Sequence, residues 1–246
     1  MNSPTKFSII TVCRNEATTV RDTCKSIVTQ SWQDYEWIVI DGASTDGTLN
    51  ILEEFRDNFT ALISEPDQGI YDAMNKGIDL ARGEYVVFMN GGDTFASEHV
   101  LKLVAQSPQK DLIYGNLRYD TIDGEIKSYP NQFRDRDLIK WMIPHQASFY
   151  RREIFDIFGK YDTNYHIAAD YELNARMIAK HRISHFHVDE PLAIFDRSGV
   201  SSDPLHKSLR KKENHRVRMK YLGKYRWTPK AWRQIARNWL ENLAHN

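Results

Sequence analysis

Cysteine is scarce in this chain. Cys13 and Cys24 are the 2 among 246 residues, too few for a disulfide framework and at a spacing that zinc sites do not use. One falls in an apolar run and the other on the apolar face of an expected helix, so both read as reduced, buried thiols. Long hydrophobic runs are also missing: nothing approaches the ~18 apolar residues of a membrane span. The run Phe7 to Val12 gives way at once to Arg14, Asn15 and Glu16, which excludes a secretory h-region. A cytoplasmic protein, peripheral at most, is expected. Net charge is absent too, with 33 basic residues against 33 acidic ones. That neutral sum hides an asymmetry. From His206 to Asn246 there are twelve Lys or Arg against Glu213 and Glu241, a net of +10, which leaves −10 on the preceding 205 residues. A basic tail therefore follows an acidic body. With 41% hydrophobic and 27% charged residues, wholesale disorder is excluded, and the length suits one large domain with an appendage.

The body alternates strand and helix patterns. Phe7 to Val12 reads as a buried strand, and Val20, Cys24, Ile27 and Val28 recur at helical spacing behind it. Trp37 to Ile40 is the next strand, running into the turn Asp41 to Gly47 and a helix from Thr48 to Phe55. A short strand over Ala61 to Ser64 leads to a helix marked by Tyr71, Met74, Ile78 and Ala81, and Tyr85 to Met89 forms a strong central strand. This order predicts an α/β fold with a mostly parallel sheet and helices on both faces. After Asp111 to Tyr114 the pattern changes. Leu117 to Ile122 and Glu125 to Tyr129 flank Asp123-Gly124 as a two-residue hairpin would. Helices are expected near Asp135 to Met142, over Arg152 to Phe158 and from Asp170, with a strand at Ala147 to Tyr150. The chain is thus divided into residues 1–115 and 116–205 as two halves of one domain, and a helical tail at 206–246.

Acidic residues stand where strands end or helices begin, the positions at which open α/β sheets bind ligands. Asp41 could accept the N3 proton of a uracil or bond a ribose hydroxyl, or could simply hold its turn. In Met89-Asn-Gly-Gly-Asp93, the glycines let backbone approach a diphosphate and Asp93 could hold a hard divalent cation, or cap the turn. Asp67, Gly69 and Tyr71 form a turn that could close over a sugar nucleotide, with Lys76 near its phosphates. Asp170 could act as a proton acceptor or merely as a helix cap.

Four segments together carry a resemblance. Phe7-Ser-Ile-Ile-Thr-Val-Cys-Arg-Asn-Glu16, Val39-Ile-Asp-Gly-Ala-Ser-Thr-Asp-Gly-Thr48, Gly83-Glu-Tyr-Val-Val-Phe-Met-Asn-Gly-Gly-Asp93 and Ala169-Asp-Tyr-Glu-Leu173 resemble, in order, the motifs of family 2 glycosyltransferases. Glu65-Pro-Asp-Gln-Gly-Ile-Tyr-Asp-Ala-Met-Asn-Lys-Gly77 is similar to the branch that serves colanic acid and other bacterial exopolysaccharides. The resemblance implies a GT-A (Rossmann-like) fold over residues 1–205, a nucleotide-sugar donor (a UDP-sugar), and inversion at the anomeric carbon. It implies a base pocket at Asp41 with backbone near Thr11 and Val12 and the carboxylate of Glu16. It also implies donor contacts at Asn90, Gly91 and Gly92, Mn²⁺ or Mg²⁺ at Asp93, and Asp170 as catalytic base. Where many members carry two or three acids, this chain keeps Asp93 alone, so metal binding is expected to be weak, with His145 as an assisting ligand or else a core histidine. Phe195 to Ser202 resembles the loop that closes over the site, placing Arg197 at the leaving diphosphate.

The tail interleaves basic residues with Tyr221, Tyr225, Trp227, Trp232 and Trp239, a pattern suited to an anionic membrane surface and a glycan or lipid-linked acceptor there. A solvated arm is the plainer alternative, and no nucleic-acid partner is expected. Two rival functions share these residues: a nucleotidyltransferase, which would release pyrophosphate, and a catalytically inert nucleotide-sugar-binding protein.

Overall fold

The computed structural model describes residues 5–121, 123–195 and 206–223. Its centre is one sheet in the order β3-β2-β1-β4-β8-β6-β9-β5, with β7 on the edge of β6. The strands are β1 (Phe7–Cys13), β2 (Tyr35–Asp41), β3 (Ala61–Ser64), β4 (Tyr85–Phe88), β5 (Thr94–Phe95), β6 (Leu112–Tyr119), β7 (Ile126–Lys127), β8 (Ser148–Arg151) and β9 (His185–Phe195). The helices are α1 (Val20–Val28), α2 (Thr48–Glu53), α3 (Ile70–Leu80), α4 (Val100–Ala105), α5 (Glu153–Phe158), α6 (Ala169–Asn174) and α7 (Lys207–Tyr221).

All seven residues of β1 are buried. Successive strand side chains point to opposite faces, so both faces of the sheet are covered there, as a parallel α/β sheet requires. β1 pairs in parallel with β2 and β4, and β2 with β3. Helix α3 comes close enough to β1 that a Cβ on Gly77 would lie 2.4 Å from Ile10 Cγ2. Glycine at this position is a packing requirement.

The second half is mixed. β8 runs antiparallel to both β4 and β6, while β6 and β9 are parallel. The mostly parallel sheet expected from the sequence is thus parallel from β3 to β4 and mixed beyond β4. The expected hairpin forms, with Leu117 opposite Lys127, but it is wider than a two-residue turn: Tyr119 N donates to Glu125 O and Gly124 N to Thr121 O.

The sequence pattern does not announce β9. Pro191 cannot donate to a ladder, and Asp189-Glu190 interrupts the apolar pattern. The chain accommodates the proline at a register irregularity opposite Asn116. The expected helix over 135–142 is instead a 3₁₀ turn, Asp135–Ile139. Leu138 O, which an α-helix would use four residues on, accepts from Tyr171 Oη at 2.7 Å.

The boundary expected at 205/206 also changes meaning. The first part of the tail is α7, which packs on α6 and its continuation, with Val217 and Leu222 buried. Residues 206–223 are thus packed against the body.

Candidate active site

β1, β4 and the turns behind them form one side of a cavity of about 970 Å³. Val12, Cys13, Arg14 and Glu16 lead into it from β1. After β4 the chain turns sharply: Asp93 N donates to Asn90 O (3.0 Å) and Gly91 N to Val12 O (2.9 Å). A Cβ on Gly91 would meet Glu16 Cγ at 2.9 Å and Cys13 Cβ at 3.1 Å, so this turn can sit against β1 only with glycine. Asn90, Gly91 and Asp93 border the cavity. Gly92 does not, and its N–H is held by Thr23 Oγ1 at 3.0 Å.

Asp41 ends β2. It is fully buried and accepts from Ser44 N (3.0 Å), Ser44 Oγ and Ser64 Oγ (2.6 Å). Its carboxylate ties the ends of β2 and β3 to the loop behind them and does not face the cavity. Thr11 is buried likewise, its Oγ1 accepting from Trp37 Nε1 at 2.9 Å. Burial, reinforced by the charge of Asp41, raises the Cys13 thiol far above its ordinary value.

Asp93 is only 5% exposed and accepts from Gln146 Nε2 at 3.0 Å. The adjacent His145 reaches the other way. Asn90 Nδ2 lies 3.0 Å from His145 Nε2, and His145 Nδ1 lies 3.8 Å from Asp170 Oδ2. His145 Nδ1 is buried with no hydrogen-bond partner. His145, expected as an assisting metal ligand or else a core histidine, borders the cavity between Asn90 and Asp170.

Asn90 Oδ1 is buried with no hydrogen-bond partner. Among the described residues no group of three or more His, Cys, Asp or Glu could hold a metal ion. Asp93 is the carboxylate at this turn that would hold a divalent cation.

Asp170 borders the same cavity at the start of α6, 7% exposed. Its Oδ1 accepts from Tyr171 N (2.7 Å), and Tyr71 Oη, which donates to Ile167 O at 3.0 Å, lies 3.4 Å from it. Burial next to Asp170 raises Tyr71 well above the ordinary phenol value, so it remains a donor. The loop before α6 is fixed from α7. Glu213, 5% exposed, accepts from the backbone of His166 (2.8 Å), Ile167 (2.9 Å) and Ala168 (2.9 Å). Sequence reasoning missed this residue, although a lone acid in a basic run, four residues before the apolar Val217, was a readable signal.

Asp67 and Gly69 border the cavity with Tyr71. Gly69 adopts φ +117 and donates to Asp67 Oδ1 at 2.8 Å, turning the chain into α3. Lys76 is not at the cavity: it pairs with Glu65 (2.7 Å) and Asp72 (3.6 Å). Arg197 lies outside the described residues, as do the tail tryptophans.

The model described as "Glycosyl transferase family 2" matches residues 8–166, and the chain belongs to that family. A "PGL/p-HBAD biosynthesis glycosyltransferase" of Mycobacterium bovis is 32% identical over 213 residues, covering 81% of this chain and 80% of the relative. An uncharacterized glycosyltransferase of Mycobacterium tuberculosis is 33% identical over 215 residues, covering 82% and 79%. Among solved structures, S. aureus TarS 1–349 in complex with UDP superposes with TM-score 0.66 at 17% identity, over 92% of this chain and 73% of that one. The mannosyltransferase PcManGT from Pyrobaculum calidifontis, in complex with GDP-Man and Mn²⁺, gives 0.60 at 19% identity, over 79% and 57%. These neighbours show the GT-A-like fold.

Proposed function

We propose that the chain is an inverting glycosyltransferase that moves a sugar from a UDP-sugar to a glycan or lipid-linked acceptor in surface polysaccharide assembly, of the exopolysaccharide kind. The observation that carries this reading is the placement of Asp93 and Asp170 in one cavity, spanned by the adjacent residues Gln146 and His145. Relatives and neighbours whose names specify glycosyl transfer, UDP or GDP-Man support it.

In this mechanism the glycine turn over Asn90 to Asp93 brings backbone close to the donor diphosphate, with Arg14 beside it. Asp170 accepts the acceptor hydroxyl proton while that oxygen attacks the anomeric carbon from the face opposite the diphosphate. Tyr171 N holds Oδ1 of that carboxylate, which leaves Oδ2 for the proton. A divalent cation, when bound, would be held by Asp93 and would neutralise charge on the departing nucleoside diphosphate. Asp41 shapes the loop under the base pocket. The protein works at the cytoplasmic face of a membrane, which its basic C-terminal residues touch. No helix among the described residues is long and apolar enough to cross a membrane.

A panel of nucleotide sugars with and without Mn²⁺ or Mg²⁺, scored by thermal shift and donor hydrolysis, tests the reading. Stabilisation by a UDP-sugar and release of UDP are expected. Release of pyrophosphate from a nucleoside triphosphate would contradict it.

A further inference from the structure

Five basic side chains border the cavity, and for Arg14, Lys127, Lys140 and Arg218 no carboxylate lies within ion-pairing distance among the described residues. Arg14 stands on the donor side, after β1. The other three share a wall opposite. Lys127 Nζ lies 5.3 Å from the ring centroid of Tyr129, Tyr129 meets Trp141 edge-on at 6.0 Å, and Lys140 Nζ lies 4.4 Å over Trp141. Arg218 Nε donates to Tyr171 Oη at 3.3 Å, and that hydroxyl in turn donates to Leu138 O. β7, the 3₁₀ turn and α7 thus meet in one surface where cations alternate with aromatic faces, and Asp170 precedes Tyr171 at its edge.

A partly buried ammonium without a counter-charge is unfavourable. Burial lowers Lys127 below the ordinary lysine value, and no carboxylate among the described residues pairs with it. Three separated cations suit a group with several anionic oxygens, and the faces of Tyr129 and Trp141 suit a sugar ring. The donor diphosphate is accounted for by the glycine turn across the cavity.

We infer that this wall binds the acceptor through a phosphate that the acceptor carries next to its sugar: the acceptor is a phosphorylated glycan. The inference rests on the glycosyltransferase reading and names the acceptor class for the same site. A lipid-linked sugar phosphate and a phosphodiester polymer present the same chemistry.

The test uses the full chain and the variant Lys127→Gln/Lys140→Gln. Binding is followed by calorimetry with UDP and Mn²⁺ saturating, so that the donor side is filled. The probes are glucose, glucose 1-phosphate, a polyprenyl phosphate in detergent micelles and a short glycerol phosphate oligomer. Phosphorylated probes should bind the wild type more tightly than glucose, and the double variant should lose about ten-fold in their affinity. UDP affinity and melting temperature should stay unchanged, which also establishes that the variant is folded. Tighter binding of the micellar probe assigns a lipid carrier, and tighter binding of the oligomer assigns a polymer. Equal binding of glucose and glucose 1-phosphate would overturn the inference. So would an equal loss of UDP affinity in the variant, since the cations would then serve the donor. Failure of the wild type to bind UDP at all would instead count against the glycosyltransferase reading, and the phosphate probes would still be read without it.

Discussion

Replacing Glu213 with Gln tests whether α7 sets the position of Asp170, the proposed base. Three backbone N–H groups, from His166, Ile167 and Ala168, converge on this buried carboxylate at 2.8 to 2.9 Å. Hydrogen bonds to a charged acceptor contribute about 1.5–3 kcal/mol each. Glutamine keeps one acceptor oxygen and turns an amide N–H₂ toward a donor, so at least one bond is lost and a buried N–H is left facing another. A loss of about 3 kcal/mol follows, which for a chain of this size lowers Tm by about 6–12 °C. The same loop carries Asp170. Misplacement of a reacting group by about 1 Å costs up to about 100-fold in rate, so kcat should fall by at least about ten-fold with the donor KM little changed. The assay pairs calorimetric Tm with steady-state kinetics, and His215→Ala, an exposed change on the same helix, serves as control. If Glu213→Gln melts within about 2 °C of wild type and keeps its kcat, the anchoring argument is wrong.

Asp170→Asn should lower kcat by about 10²–10⁴-fold, the usual contribution of a general base, while thermal shift by UDP is retained. Asp93→Asn should raise the Mn²⁺ or Mg²⁺ concentration needed for half-maximal activity, because the side chain loses its charge toward the cation; an unchanged metal titration would exclude Asp93 as ligand. His187 is held below the ordinary imidazole value by burial. The unfolded chain therefore takes up a proton first, and stability should be full above pH about 6.5 and decline as pH falls below it. A His187→Gln variant should flatten that decline in urea melts. Cys24, pushed up to about 12 by burial, and the buried Cys13 should resist iodoacetamide until the protein is unfolded.

The nucleotide half was legible because its elements follow local rules. Apolar runs such as Phe7 to Val12 become strands buried on both faces, and polar Gly- and Asp-rich segments after them become the turns that border the cavity. Asp93 and Asp170, expected at a strand end and a helix start and singled out by the family resemblance, both border the cavity. Asp41 satisfies the same rule, yet Ser44 and Ser64 claim its carboxylate, and no spacing encodes which way a strand-end side chain turns. What escaped the sequence depends on partners far along the chain. Glu213 acts on residues 45 to 47 positions away. The cation-bearing wall joins β7, the 3₁₀ turn and α7, and β9 survives its proline through a register shift against β6.

The central claim is that Asp93 and Asp170 address the two ends of one donor. A crystal structure of the Asp170→Asn variant with a UDP-sugar and Mn²⁺ tests it most directly. The account predicts Mn²⁺ about 2.1 Å from an Asp93 oxygen, with the diphosphate over the glycine turn and the substituted amide at position 170 facing the anomeric carbon from the opposite side. A donor bound with its diphosphate on the wall of Lys127 and Lys140, or with position 170 remote from the sugar, would contradict it.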